Sequence, residues 1–193
     1  LAPEPPYPAA LEDAISAYRA LLGSGYRPQQ ICICGDSAGG GLALATLVAL
    51  RNLGEQLPAC AALISPWVDL TLTARSLEVN AKNDPLVQRH TASQSVRRYI
   101  GESGDAADPL VSPLFADLSS LCPLLIQVGL AESLLDDSRR LARRAEADQV
   151  DVTLQCYADM VHIFPFFAHR LAAGQQAIEE IGAYLKKKMP AGK

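Results

Sequence analysis

The sequence predicts an α/β fold built on a parallel sheet of about four strands, and three observations carry that prediction. Short apolar runs recur at Gln30–Cys34, Cys60–Ile64 and Leu124–Val128, each closed by glycine or a turn. Stretches of helical periodicity separate them, and strands alternating with helices imply parallel pairing. A Gly-x-Ser-x-Gly pattern, Gly35-Asp36-Ser37-Ala38-Gly39, lies where the first run gives way to a helix.

Taken in order, prolines at 3, 5, 6 and 8 keep the first ten residues extended, because each fixes φ and lacks an amide donor. Leu11, Ala14, Ile15, Tyr18 and Leu22 recur at helical spacing, and Gly23-Ser24-Gly25 ends that helix. Gln30 to Cys34, closed by Gly35, suits a strand buried on both faces. An apolar helix over about 37–53 follows, and then a strand from Cys60 to Ile64. Residues 66–120 alternate turns with short helical patterns, clearest around Ala92 to Ile100. Within them Asp84-Pro85-Leu86 and Asp108-Pro109-Leu110 read as turns, since neither follows a strand. Leu124 to Val128 is a third strand, Leu134, Leu141 and Ala145 mark a helix face, and Asp151 to Tyr157 alternates as a fourth strand. Residues 171–187 close the chain as a helix, where Lys186-Lys187-Lys188 offset the helix dipole.

Composition narrows the function classes. At 193 residues, with 49% hydrophobic and 20% charged, the chain is suited to one packed core rather than disorder. A net charge of -4 gives no reason to expect nucleic acid or an anionic membrane as partner. No apolar stretch approaches the ~18 residues of a membrane span. The five cysteines are an odd number without a CxxC pair, and each lies in or beside an apolar run. They are expected to be buried structural thiols, which points to a reducing compartment such as the bacterial cytoplasm.

The Gly-x-Ser-x-Gly pattern has modest specificity by itself; its place between strand and helix gives it weight. A serine held on a sharp strand-to-helix turn exposes its hydroxyl but crowds the residues two positions away. Glycine at 35 and 39 is expected to remove clashing Cβ atoms. The helix starting there aims its first amides at the reaction centre, with Ala38 N–H placed to donate to a developing oxyanion. Serine needs a base, and the base an orienting carboxylate. Of three histidines, His90 beside Arg89 and His169 beside Arg170 read as surface or structural, whereas His162 follows the last predicted strand. Active sites of parallel sheets form at such carboxyl ends. The acid should also follow a strand: Glu132 does so, while Asp136 and Asp137 lie in the first turn of the next helix, where they also suit its dipole.

Gly35-Asp36-Ser37-Ala38-Gly39-Gly40 resembles the GDSAGG elbow of the bacterial hormone-sensitive-lipase-like (family IV) carboxylesterases of the α/β-hydrolase superfamily. Leu1-Ala2-Pro3-Glu4, Pro8-Ala9-Ala10, Glu12-Asp13-Ala14, Ser65-Pro66-Trp67-Val68-Asp69-Leu70 and Ser112-Pro113-Leu114 are similar to stretches of the same family. The resemblance implies an α/β-hydrolase fold with Ser37 as nucleophile and His162 as base. Glu132 opens Glu132-Ser133-Leu134-Leu135-Asp136, which matches the family's D-P-L-x-D segment, and so takes the place of the acid, with Asp136 as a minor rival. The family's H-G-G-G motif, which supplies most of its oxyanion hole, would lie upstream of Leu1. Residues 1–193 are therefore expected to be the carboxyl-terminal part of a catalytic domain, without the cap and first strands, and inactive alone.

The implied activity is hydrolysis of short-chain carboxylic esters through an acyl-enzyme, without metal or organic cofactor. An amidase or peptidase on the same scaffold and a non-catalytic ligand-binding module are the alternatives. The partner implied is a small ester substrate, and edge pairing in the final strand region would support a homodimer.

Overall fold

Four apolar runs become four strands, β1 (Cys32–Asp36), β2 (Cys60–Ile64), β3 (Leu124–Gly129) and β4 (Val152–Tyr157), in one parallel sheet whose order follows the sequence. The computed structural model describes residues 2–189; Leu1, which opens the Leu1-Ala2-Pro3-Glu4 stretch, lies outside them. Six helices accompany the sheet: α1 (Ala9–Gly23), α2 (Ala38–Asn52), α3 (Ser76–Val79), α4 (Arg89–Ile100), α5 (Leu135–Ala147) and α6 (Ala172–Lys188). The register pairs Asp36 with Ile64, Ile64 with Gln127, and Gly129 with Tyr157, so the carboxyl ends of all four strands form one rim.

Apolar periodicity decides the packing. α1 buries Leu11 and Tyr18, and the Tyr18 hydroxyl donates to the Gln56 carbonyl at 2.7 Å. α2 is apolar nearly all round and is buried from Gly40 through Leu50 except at Leu42, as a helix packed against both α1 and the sheet must be. Leu44, Leu47, Leu63, Leu124, Ile126 and Leu141 meet in the main core. Burying each such side chain contributes about 1.5–3 kcal/mol relative to exposure. α5 presents Leu141, Ala142 and Ala145 to that core while its arginines face outward.

Two expectations need correction. β1 begins two residues later than its apolar run and extends through Gly35 and Asp36, because Pro28–Gln30 forms a 3-10 turn before it. Nor is β1 buried on both faces among the described residues, where its positions alternate between half-buried and exposed. The thiols divide accordingly. Cys60 and Cys122 are buried, but Cys34 on β1 and Cys156 on β4 are exposed, and Cys32 is intermediate; all five are free.

Candidate active site

At the end of β1 the chain turns directly into α2 through Ser37, whose φ of 53° and ψ of -122° lie outside the ordinary regions for a residue with a side chain. Backbone bonds hold it there: Ser37 N–H donates to the Ile64 carbonyl at 2.9 Å, and its own carbonyl accepts from Trp67 N–H at 2.9 Å. Gly35 permits the turn, since a Cβ at this position would lie 2.2 Å from the Gly39 carbonyl oxygen. The same expectation fails for Gly39, where an added Cβ would meet nothing within 4 Å. Gly39 sits in the first turn of α2, and the crowding falls on its carbonyl rather than its α-carbon. Ala38 is the first residue of α2, where a helix leaves its amides without internal partners. The Asp36 side chain is exposed and is not among the groups bonded to Ser37, Glu132 or His162.

The loops after β3 and β4 bring Glu132 and His162 to the same rim. Ser37 Oγ lies 2.9 Å from His162 Nε2, and His162 Nδ1 lies 3.2 Å from Glu132 Oε1. Glu132 is fully buried and His162 is 3% exposed. The second oxygen of Glu132, Oε2, accepts from Gly129 N–H and from the Ser65 hydroxyl, each at 2.8 Å. A buried carboxylate without such donors would be costly. Here both oxygens are engaged.

The rival acids point elsewhere. Asp136 accepts from Ser76 N–H at 2.9 Å, and Asp137 accepts from Val68 and Asp69 N–H, each at 3.0 Å. His90 on α4 and His169 are both exposed, as read from the sequence. Burial pushes the Asp137 carboxyl up to about 7, although its two amide donors pull the other way, and the neighbouring Asp69 charge adds to the rise. Asp69 is also pushed up by burial, but Thr71, Thr73 and the Arg140 guanidinium outweigh that and hold it below its usual range.

Several supporting residues carry no spacing pattern and escaped the sequence reading. Asn80 Nδ2 donates to the carbonyls of Leu130 and Glu132 at 3.3 and 2.8 Å, and Ser76 Oγ donates to the Ser133 carbonyl at 2.6 Å. Asp84 does make the expected turn, accepting from Leu86 and Val87 N–H, but its other oxygen also accepts from Ser133 N–H at 2.7 Å. Together they clasp the Glu132 loop from the 76–88 segment. Ser65 offered one clue, its place at the carboxyl end of a strand, as Glu132 follows β3.

Beside the elbow lies an apolar cavity of ≈ 270 Å³, bounded by Ala38, Gly39, Trp67, Leu70, Val96 and Tyr99. Part of the 70–115 region thus lines it. Among the described residues no group of three or more His, Cys, Asp or Glu side chains could hold a metal ion, and no helix is long and apolar enough to cross a membrane.

A family model described as the alpha/beta hydrolase fold matches residues 1–166. An acetyl-hydrolase of Streptomyces hygroscopicus is 42% identical over 184 residues, a match covering 95% of this chain and 61% of that protein. An esterase of Acinetobacter venetianus is 41% identical with the same shares covered, 95% and 61%. A crystal structure of an esterase from the bacterial hormone-sensitive lipase family matches at a TM-score of 0.95 and 49% identity, covering 98% of this chain and 63% of that one. The chain thus spans about 61% of the length of the curated relatives it matches.

Proposed function

The chain belongs to the alpha/beta hydrolase fold family, in its hormone-sensitive-lipase-like group, and from that premise we propose that the protein is a serine carboxylesterase acting on short-chain esters. The observation that carries this reading is the unbroken hydrogen-bond chain from Ser37 Oγ through His162 to Glu132.

In the proposed reaction His162 Nε2 takes the hydroxyl proton as Ser37 Oγ attacks the ester carbonyl carbon. Negative charge gathers on the carbonyl oxygen, toward which the Ala38 amide can donate. The tetrahedral intermediate collapses by breaking the bond to the alcohol oxygen, and His162 returns the proton to that leaving alcohol. Water then attacks the acyl-serine with His162 again as base, releasing the acid and restoring Ser37. Glu132 holds the imidazole tautomer and stabilises its charged form. The apolar cavity beside Ala38 favours an uncharged acyl or alcohol group.

Hydrolysis of p-nitrophenyl butyrate by the protein restored upstream through its H-G-G-G segment tests the reading, since residues 1–193 are expected to be inactive alone. Ser37→Ala is expected to lower turnover by about 10⁴-fold or more. Nitrophenol release by the unaltered protein no faster than by the Ser37→Ala variant would sink the proposal. The free thiols favour a reducing compartment such as the cytoplasm. β4, at a sheet edge, favours a homodimer paired there, which sedimentation would detect as a doubled mass.

A further inference from the structure

Three residues without glycine's freedom take the left-handed backbone along the rim: Ser37 at φ 53°, Ser65 at φ 47° and Ile163 at φ 48°. Such strain persists only where surrounding contacts over-determine it. Ser37 and Ile163 have evident reasons, one as the elbow and the other as the residue after His162. Ser65 has no part in the proton transfers, yet it is 0% exposed and bonded to both Glu132 and the residue after His162.

Its amide donates to the Gln127 carbonyl at 2.7 Å, tying the end of β2 to β3. Its hydroxyl lies 2.8 Å from Glu132 Oε2 and 3.1 Å from the Ile163 nitrogen. The chemistry of those neighbours fixes the direction of each bond. An ionised carboxylate has nothing to donate and an amide N–H cannot accept, so the hydroxyl gives its single proton to Glu132 and receives the Ile163 proton. With Gly129 N–H also on Oε2, that oxygen is occupied, and only Oε1 remains for the imidazole.

From this geometry we infer that Ser65 is a positioning residue that locks the Glu132 carboxylate to the His162 loop through one hydroxyl, so that acid and base keep a single relative orientation. The inference rests on the esterase reading. Without the hydroxyl, Oε2 loses one of its two donors, the carboxylate can turn about its bond, and the Ile163 amide is left buried without its acceptor.

The test uses Ser65→Ala and Ser65→Gly. Glycine tolerates the left-handed backbone without strain, so its defect isolates the hydroxyl even if the alanine variant does not fold. Both are expected to lower kcat for p-nitrophenyl butyrate by about 10–100-fold, the span of one hydrogen bond to a charged group, with KM changed less than about twofold. The far-downfield proton resonance of the imidazole Nδ1–H bonded to Glu132 is expected to shift or broaden in step. A folded Ser65→Gly variant with unchanged kcat and an unmoved resonance would overturn the inference. An unaltered protein lacking Ser37-dependent turnover would sink the esterase reading instead. Ser65 would then be judged on the resonance alone, a shift supporting its role and an unmoved signal overturning it.

Discussion

The two ends of the Ser37–His162–Glu132 hydrogen-bond chain are built in opposite ways. Glu132 follows β3, the one strand among the described residues that is buried at every position, and its loop is clasped by Ser65, Ser76, Asn80 and Asp84 through bonds spanning 49 to 67 residues in sequence. Ser37 follows β1, half-exposed among the described residues, and is held by backbone bonds and the close approach of Gly35 to Gly39. Ser37 is placed by local backbone geometry. Glu132 is placed by distant side chains.

That contrast breaks first at the acid. Glu132→Gln keeps the volume but loses the charge that orients and stabilises the imidazole, and is expected to lower kcat by about 10⁴-fold. Asp136→Asn, bound to Ser76 rather than His162, is expected to stay within about threefold. Comparable losses in steady-state turnover would move the acid's role to Asp136.

At the nucleophile end the contrast becomes one between two glycines. Gly35→Ala forces a Cβ to 2.2 Å from the Gly39 carbonyl and is expected to cost about 3 kcal/mol. Gly39→Ala meets nothing within 4 Å and gains helix propensity, so stability should hold or rise by up to about 1 kcal/mol. Thermal unfolding of the two variants decides; equal losses would mean that the elbow is crowded from both sides.

The smallest effect sharpens how the acid end is paid for in charge. Asp137 pins Val68 and Asp69 while its other oxygen, Oδ1, has no hydrogen-bond partner among the described residues. Its folded value, raised to about 7, lies above that of an exposed carboxylate, so between about pH 4 and 7 the folded state binds more protons than the unfolded. The stability it contributes is present at the acidic end of that window and is lost as pH rises through about 7. Asp137→Asn should remove this slope. The midpoint temperature of the unaltered protein is expected to decline relative to the variant between about pH 5 and 8, and parallel curves would refute the assignment.

The same division governs what the sequence could reveal. Strand and helix identities followed from runs and periods spanning neighbours, so β2 matched residue for residue and α2 within a residue at each end. Ser37 was legible because its turn needs a small residue at a fixed offset. The exposure of β1 and of Cys34 among the described residues depends on what packs beside the strand, which its own apolar run does not record. Asp136 and Asp137 could be set aside only once Ser76, Val68 and Asp69 were seen to occupy them. Single polar residues such as Asn80 leave no periodic trace, because the loop they hold lies some fifty positions further along the chain.

Because strands are laid down side by side in chain order, with the reactive groups following the first, third and fourth, the site has a schedule as well as a shape. A chain emerging from the ribosome presents Ser37 before the segment carrying His162 has been made. On the proposed reading Ser37 lacks its base until that segment arrives, while half-built surfaces and other nascent chains are nearest. Reactivity arrives with the last strand, so covalent capture of Ser37 by an active-site reagent would count the molecules that have finished folding.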